Sequence, residues 1–370
     1  MSHEYYIKRC IELAKQGYGY VSPNPLVGSV IVQNGEIISE GWHRKYGDIH
    51  AEVHALQNCK NTLSDETILY CSLEPCSHSS SKKINRPCAL QIIESGIKHV
   101  VIGIQDPNPE VSGNGVNLLR KAGIRVDVGF CEDECNELIS LFKTHITKQR
   151  AHITLKIAQT LDGKIATSTG SSKWITSETV RKEVHLYRAM YDAVLVGADT
   201  VIADNPKLNV RHVEGRNPYR VIVDSHLRIP LSSTLFTDEL ANKTIVCTTS
   251  LADPNILKRL HEMEIEVLVC NVTGNHINLK DMLYRLYERR IYSVFVEGGM
   301  GLTTAFISKG YYDDILFMIA PKLIGDGKFL VGDLGIKQVT DAIEFKHVNY
   351  RILDNHMIVK GAQTTCSLDL

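Results

Sequence analysis

The stretch Ile49-His50-Ala51-Glu52-Val53-His54, continued at Glu74-Pro75-Cys76-Ser77 and closed by Arg86-Pro87-Cys88, decides how the first half of the chain is read. It brings together one imidazole, two thiols and a carboxylate two residues past the imidazole. His50, Cys76 and Cys88 as ligands would leave the fourth tetrahedral position of a zinc ion open, which is what a catalytic zinc needs. Zinc draws the pKa of water at that position down towards ~7. Glu52, which need not touch the metal, has the reach to shuttle a proton beside it.

His-x-Glu followed by Pro-Cys and a further Cys is the pattern of the zinc-dependent nucleobase deaminases, where the glutamate carries protons to the ring nitrogen and to the departing ammonia. The competing readings are weaker. A buried helix with an incidental histidine and two core cysteines requires several coincidences at once. His50-x-Glu52-x-His54 lacks the adjacent His-Glu pair of the metalloproteases. His78 lies near enough to Cys76 to replace a thiol as ligand, but the second cysteine makes this unnecessary. Cys131 and Cys135, four apart in an acidic stretch, read as incidental cysteines on a helix face.

Composition agrees with an enzyme. At 370 residues the chain is long enough for two domains. Its 44% hydrophobic and 22% charged residues are those of a globular protein. A net charge of −1 provides no basic field for nucleic acid. Ten cysteines are too sparse for a disulfide framework and suit a reducing cytosol. The first residues lack the apolar core of a signal peptide, and no apolar run approaches the ~18 residues of a membrane span. A cytoplasmic enzyme is expected, without nucleic-acid or membrane partners.

Working outward, residues 3–17 carry Tyr6, Ile7, Cys10, Ile11 and Ala14 at helical spacing. Val27–Val32 and residues 36–41 read as strands joined by an Asn34-Gly35 turn. A helix is expected over 50–59, strands over 67–73, 100–104 and 126–128, and helices from Cys88 to a stop at Gly96 and over 116–122. Alternating strands and helices predict a three-layer α/β sandwich. The Asp106-Pro107-Asn108-Pro109 turn and the Gly113/Gly115 pair are ordinary turn chemistry. A domain boundary is expected near 146, giving domains 1–146 and 147–370. In the second, strands over 153–158, 193–196, 219–223, 244–248, 267–270 and 293–296 alternate with helices over about 178–190 and 279–288. The strand ends are rich in Gly, Ser, Thr and Asp, where open α/β sheets bind nucleotides. Glu297-Gly298-Gly299 opens a helix whose amides can approach a phosphate, although no Gly-x-Gly-x-x-Gly fingerprint is present.

The ordered set Pro23-Asn24-Pro25-Leu26-Val27-Gly28, Gly41-Trp42-His43, His50-Ala51-Glu52-Val53, Leu73-Glu74-Pro75-Cys76-Ser77-His78 and Gln105-Asp106-Pro107-Asn108-Pro109 closely resembles the bacterial bifunctional riboflavin-biosynthesis deaminase–reductases. The resemblance continues through Asp162-Gly163-Lys164-Ile165-Ala166, Ser172-Lys173-Trp174-Ile175-Thr176, Asp204-Asn205-Pro206-Lys207-Leu208, Glu297-Gly298-Gly299 and Ala320-Pro321-Lys322-Leu323. It implies a cytidine-deaminase-like three-layer zinc domain followed by a dihydrofolate-reductase-like domain, with a C-terminal pair of strands at 314–319 and 351–359. The implied substrate is 2,5-diamino-6-(5-phosphoribosylamino)pyrimidin-4(3H)-one. Deamination is followed by NADPH reduction of the ribosyl group, giving 5-amino-6-(5-phosphoribitylamino)uracil. Carried over by the resemblance, Asn24 and His43 line the deaminase pocket. Ala158, Trp174, Thr200, Asp204 and Gly299, Met300, Gly301, Leu302, Thr303, Thr304 and Ala305 contact NADPH. Lys156, Ser172, Arg188, Arg211 and Glu297 hold the phosphorylated substrate: arginines suit a phosphate monoester, and Lys156, Asp204 and Glu297 suit the opening sugar. The resemblance also implies self-association through the reductase domain.

One departure stands out. The family follows Pro-Cys-Ser-His with a compact Gly-Arg-Thr-Pro-Pro-Cys, whereas residues 79–87 here are Ser-Ser-Ser-Lys-Lys-Ile-Asn-Arg-Pro. The loop still reaches Cys88, because closure cost grows slowly with length. Lys82, Lys83 or Arg86 would then replace the loop's usual substrate contact. The rewritten loop admits an alternative, a reductase whose zinc domain is inactive or altered in specificity, which ammonia release would exclude.

Overall fold

The computed structural model describes residues 1–77, 86–363 and 366–368. The chain forms two compact units, residues 1–149 and 150–370. The boundary expected near 146 falls within the helix that closes the first unit, and the units part after Gln149.

The first unit runs α1 (His3–Ala14), β1 (Gly28–Gln33), β2 (Glu36–Trp42), α2 (Ala51–Asn58), β3 (Ile68–Leu73) and α3 (Cys88–Ser95). It continues with β4 (His99–Ile104), α4 (Asn114–Lys121), β5 (Arg125–Val128), α5 (Glu132–Leu138) and α6 (Ser140–Lys148). The sheet order is β2-β1-β3-β4-β5, with β1 antiparallel to both neighbours and β3, β4 and β5 parallel. Alternation along each strand builds the three layers. Val30, Val32, Tyr70 and Val101 pack with Tyr6, Ile7, Cys10 and Leu138 of α1 and α5. Ile31, Leu69, Cys71, Val100 and Ile102 pack with Ala55, Ala89, Ile92, Val116 and Leu119 of α2, α3 and α4. The Asn34-Gly35 turn has positive φ at both residues, as a tight hairpin requires, and Gly96 ends α3 in the left-handed conformation.

The second unit opens with β6 (His152–Thr160), β7 (Lys164–Thr167), α7 (Glu178–Met190), β8 (Ala193–Gly197), α8 (Ala198–Asp204) and β9 (Tyr219–Val223). Next come α9 (Thr234–Thr237), β10 (Thr244–Thr249), α10 (Pro254–Glu262), β11 (Glu266–Cys270), β12 (Val272–Thr273), β13 (His276–Ile277) and α11 (Leu279–Glu288). It ends with β14 (Ser293–Val296), α12 (Met300–Lys309), β15 (Asp314–Ala320), β16 (Gly327–Phe329), β17 (Lys346–Leu353) and β18 (His356–Ala362). Nine strands form one mixed sheet, β11-β10-β9-β8-β14-β6-β15-β18-β17. It is parallel from β11 to β15 and antiparallel through β18 and β17. Met282, Leu283 and Leu286 of α11 and Phe306 and Ile307 of α12 cover one face, against Ile153, Leu155, Val294 and Val296. On the other, Tyr187 of α7 stacks on Phe295 of β14, with ring centroids 5.4 Å apart.

Two expectations need correction. Residues 351–359 are not one strand: Asp354 and Asn355, both at positive φ, turn the chain between β17 and β18, and it is β18 that pairs with β15. The helix over Pro254–Glu262 was not expected. Asp253 caps it, accepting the Asn255 amide, and Pro254 occupies its first turn.

Candidate functional site

In the first unit three segments converge. His50 is the N-cap of α2, Cys88 begins α3, and Cys76 lies beyond the end of β3. A donor atom from each lies within 4.8 Å of the other two. The Cys76 and Cys88 sulfurs stand 3.5 and 3.3 Å from His50 Nδ1. The Cys88 amide donates to Cys76 Sγ at 3.3 Å, and the Ala89 amide to the Cys76 carbonyl at 3.1 Å. The Cys88 thiol, and then His50, outweigh burial and pull the Cys76 thiol down to about 3. One imidazole and two thiols, one of them readily ionised, make a donor set that fits zinc with a position to spare. Glu52, in the first turn of α2, is buried, and burial followed by the nearby Cys76 raises its carboxyl to about 7.

Backbone chemistry fixes these groups. A Cβ on Gly41 of β2 would lie 2.3 Å from the Ala55 amide, so only glycine lets α2 approach the sheet this closely. Ser39 donates to the Ala55 carbonyl at 2.6 Å, tying down the same helix. Glu74 is buried with its carboxylate surrounded by four backbone amides: Asp106 and Gly113 donate to Oε2 at 3.0 and 2.9 Å, Gly115 and Val116 to Oε1 at 2.8 and 3.1 Å. A Cβ on Gly115 would meet the Pro75 carbonyl at 2.1 Å. The Asp106 turn and the two glycines, ordinary as sequence, therefore clamp the Glu74-Pro75-Cys76 segment.

His43 is buried rather than superficial. Its Nδ1 donates to the Ile49 carbonyl at 3.0 Å, so its Nε2 accepts from the Asn24 amide at 3.1 Å. Its ring stands edge-on to His50, centroids 5.3 Å apart. Asn24 and His43 thus meet beside the cluster, with His43 holding the backbone just before His50. His54 turns away onto Trp42, which removes it as a ligand. Arg86, expected as a substrate contact, forks onto Glu94 of α3 through Nη1 at 3.0 Å and through Nη2. His78, Lys82 and Lys83 lie outside the described residues.

In the second unit a cavity of about 1590 Å³ opens across the carboxyl ends of the parallel strands. Lys156 and Ala158 enter it from β6, Ser172 and Trp174 from the loop before α7, Arg188 from α7, and Thr200 and Asp204 from α8. Arg211, Glu297, and Gly299, Met300, Gly301, Leu302 and Ala305 around the start of α12 complete that set. Thr303 and Thr304 do not line it. Thr303 is buried with its hydroxyl on the Gly298 carbonyl, and Thr304 bonds the Met300 carbonyl and the Gly332 amide. Each residue turns a helix by about 100°, so a continuous run cannot all face one cavity. The absence of side chains at Gly298, Gly299 and Gly301 leaves room for a dinucleotide's phosphates at the start of α12, so the cavity fits such a cofactor.

At the centre is a buried charge cluster. Arg188 grips Glu297 through Nε at 2.6 Å and Nη2 at 3.0 Å, and its Nη1 donates to the Asn209 carbonyl at 3.1 Å. Lys156 Nζ is 3.9 Å from the same carboxylate. Burial alone would raise the Glu297 carboxyl, but Arg188 and Lys156 prevail and hold it at about 2. Burial lowers the Lys156 amine. Arg188, expected to hold phosphate, is thus committed to Glu297, whereas Arg211 is exposed. Sequence reasoning missed His185. It is buried one turn before Arg188 on the same face of α7, and its Nδ1 accepts the Arg211 amide at 3.3 Å. Arg181, also missed, lies over the Trp174 ring at 4.3 Å.

Comparisons with known proteins cover both units. Residues 1–104 match the model of the cytidine and deoxycytidylate deaminase zinc-binding region, and residues 151–359 that of the RibD C-terminal domain. The riboflavin biosynthesis protein RibD of Aquifex aeolicus is 44% identical, over 96% of each chain. That of Actinobacillus pleuropneumoniae is 43% identical, over 92% of this chain and 90% of its own. A solved diaminohydroxyphosphoribosylaminopyrimidine deaminase/5-amino-6-(5-phosphoribosylamino)uracil reductase from Thermotoga maritima superposes with a TM-score of 0.81. It is 39% identical and covers 98% of both chains.

Proposed function

The chain belongs to the bacterial RibD family of riboflavin-biosynthesis enzymes, and on that premise we propose how its residues share out the family's two reactions. The protein is a bifunctional deaminase and reductase that uses zinc and NADPH. It deaminates 2,5-diamino-6-(5-phosphoribosylamino)pyrimidin-4(3H)-one and reduces the ribosyl group to ribityl, giving 5-amino-6-(5-phosphoribitylamino)uracil. We assign deamination to the first unit and reduction to the second.

The convergence of His50, Cys76 and Cys88 beside buried Glu52 carries the deaminase assignment. The three side chains would hold the zinc, which when bound would supply activated water at neutral pH. Glu52 takes the proton, delivers it to the ring nitrogen and passes one to the departing ammonia. Asn24 lines the pyrimidine pocket, and His43 holds both Asn24 and the Ile49 carbonyl in place.

In the reductase, NADPH when bound would supply the hydride that reduces C1′ of the sugar. Ala158, Trp174, Thr200, Asp204 and Gly299–Leu302 with Ala305 seat it across the strand ends. Arg211 and Ser172 hold the phosphate, where a guanidinium donates in pairs. Glu297, kept ionised by Arg188 and Lys156, orients the ribose hydroxyls, and Lys156 stabilises negative charge on the opening ring oxygen.

The deciding experiment measures ammonia release and NADPH oxidation by purified protein and by Glu52→Ala. Wild type releases ammonia, and the variant loses that activity while still oxidising NADPH on pre-deaminated substrate. A wild type that releases none sinks the bifunctional assignment. Self-association through the second unit is part of the proposal. It is supported by β17, an edge strand with Tyr350 and Ile352 exposed by 66% and 69%. The cytoplasmic location is supported by the sparse cysteines, none of which is in a disulfide among the described residues. No helix of the described residues is long and apolar enough to cross a membrane.

A further inference from the structure

We propose that Lys322, which stands outside the cavity of the second unit, is a positioning residue for reduction: it holds the main chain of Trp174 so that the indole forms a wall for the cofactor. The proposal rests on the reading above, in which Trp174 contacts NADPH. Neither Lys322 nor Asp162 is among the residues that line the cavity, yet both sit in strings that carry the resemblance. The fold brings those strings together. β6 and β15 run parallel with Thr160 opposite Ala320, so the chain leaves the two strands side by side. The Leu161 amide donates to the Lys322 carbonyl at 3.0 Å, and the Lys322 amide to the Ala320 carbonyl at 2.8 Å. Asp162 Oδ2 accepts the Ile324 and Gly325 amides at 3.1 and 2.7 Å. Pro321 fixes φ one residue before the lysine. The backbone of Lys322 is thereby tied to the end of β6, the strand that carries Ala158 into the cavity.

From that base Lys322 Nζ reaches the Trp174 carbonyl, 148 residues away in sequence, at 2.9 Å. The segment it reaches needs such a hold. Residues 172–175 belong to no helix or strand, and Trp174 is 60% exposed, so packing does not fix its indole. A second contact acts on the ring. The Arg181 guanidinium of α7 lies over the indole, 4.3 Å from its centroid, and its Nη1 donates to the Thr176 carbonyl at 2.7 Å. Trp174 is thus held by its carbonyl from the β15 end and by its ring from α7. The two cations differ in what they can do. Arg181 lines the cavity and is open to a ligand, whereas Lys322 acts on the cavity only through Trp174. An ammonium gives its carbonyl partner a charge-assisted hydrogen bond. A wall ordered before the cofactor arrives spares the cost of ordering it on binding.

The test is a double-mutant cycle on the full chain, with NADPH binding read by calorimetry, and KM and kcat by NADPH oxidation on deaminated substrate. Lys322→Met removes the donor and keeps the apolar stem. It should weaken NADPH binding and raise the KM for NADPH by about three- to tenfold, the range of one partly exposed hydrogen bond, with kcat within about twofold of wild type. Lys322→Arg restores a charged donor and should bring binding back to within about twofold of wild type. In a Trp174→Ala background, Lys322→Met should have no further effect on NADPH. Unchanged binding in Lys322→Met, no recovery in Lys322→Arg, or an equal loss with and without the indole overturns the proposal. Trp174→Ala alone tests the underlying reading. If it weakens NADPH and Lys322→Met does not, Lys322 alone is wrong. If it leaves NADPH binding unchanged, Trp174 does not contact the cofactor, and the proposal falls with that reading.

Discussion

Substituting Glu74 by Gln, and separately by Ala, tests whether its carboxylate is what holds Cys76 in place. The wild-type side chain accepts four amides, two on each oxygen. Glutamine keeps one acceptor oxygen and sets an NH2 group against the other two amides. The Gly115 and Val116 donors are the more deeply buried pair, so the retained oxygen should face them, leaving Asp106 and Gly113 opposed. Each stranded donor costs ~1–3 kcal/mol, less where water can reach it. The Gln variant should therefore lose about 2–4 kcal/mol. Alanine strands all four donors and should lose about 5 kcal/mol or more. Urea unfolding followed by fluorescence measures both losses. Zinc per chain measures whether Cys76, two residues on, still reaches the metal. The expected order is wild type above Gln above Ala for stability, zinc content and ammonia release, while NADPH oxidation on deaminated substrate persists. Equal stability of wild type and Ala, or full zinc occupancy in both variants, refutes the clamp.

Glu297→Gln leaves Arg188 and Lys156 buried beside a neutral partner. It should destabilise the protein by ~3–5 kcal/mol and abolish reduction, read as a fall in melting temperature and in NADPH oxidation with ammonia release retained. His185 gives a pH signature: burial, then Arg188 and Arg211, lower its imidazole to about 3. A depressed folded pKa means its stability contribution is complete above the unfolded value of ~6.5 and drains away as pH falls towards 3. At pH 5 the wild type should have lost roughly 2 kcal/mol from this group, a loss absent from His185→Asn when urea midpoints are compared between pH 7.5 and 5. Dialysis against a chelator should remove ammonia release and spare NADPH oxidation, with zinc restoring the first, because all three ligands lie in the first unit.

What could be read from sequence was mostly local. The helix over 279–288 and the Asn34-Gly35 hairpin stand where periodicity and turn chemistry put them, because each signal lies within a few residues. The convergence of His50, Cys76 and Cys88 was legible because these chemical types are rare in combination. The commitment of Arg188 to Glu297 was not, since the partner lies 109 residues away and an arginine on a helix reads as a surface cation. His185 was invisible for the same reason. Thr303 and Thr304 stand off the cavity because a resemblance transfers a run of residues, whereas a helix offers a cavity only part of its circumference. The helix over Pro254–Glu262 went unannounced because Ile256, Leu257 and Leu260 make too thin an apolar stripe.

Cys76 and Cys88 are joined to each other at the backbone as well as through their sulfurs, by the Cys88 amide on Cys76 Sγ and the Ala89 amide on the Cys76 carbonyl. The segment between them is therefore closed at its base by contacts that owe nothing to its own sequence. Such a segment can be lengthened, shortened or recoded with only a slow change in closure entropy, while the ligand set stays put. Residues 77–87 are in this sense a cassette, replaceable between two fixed posts. Between two posts held in this way, the composition of the intervening sequence can change while the spacing of the two sulfurs is kept.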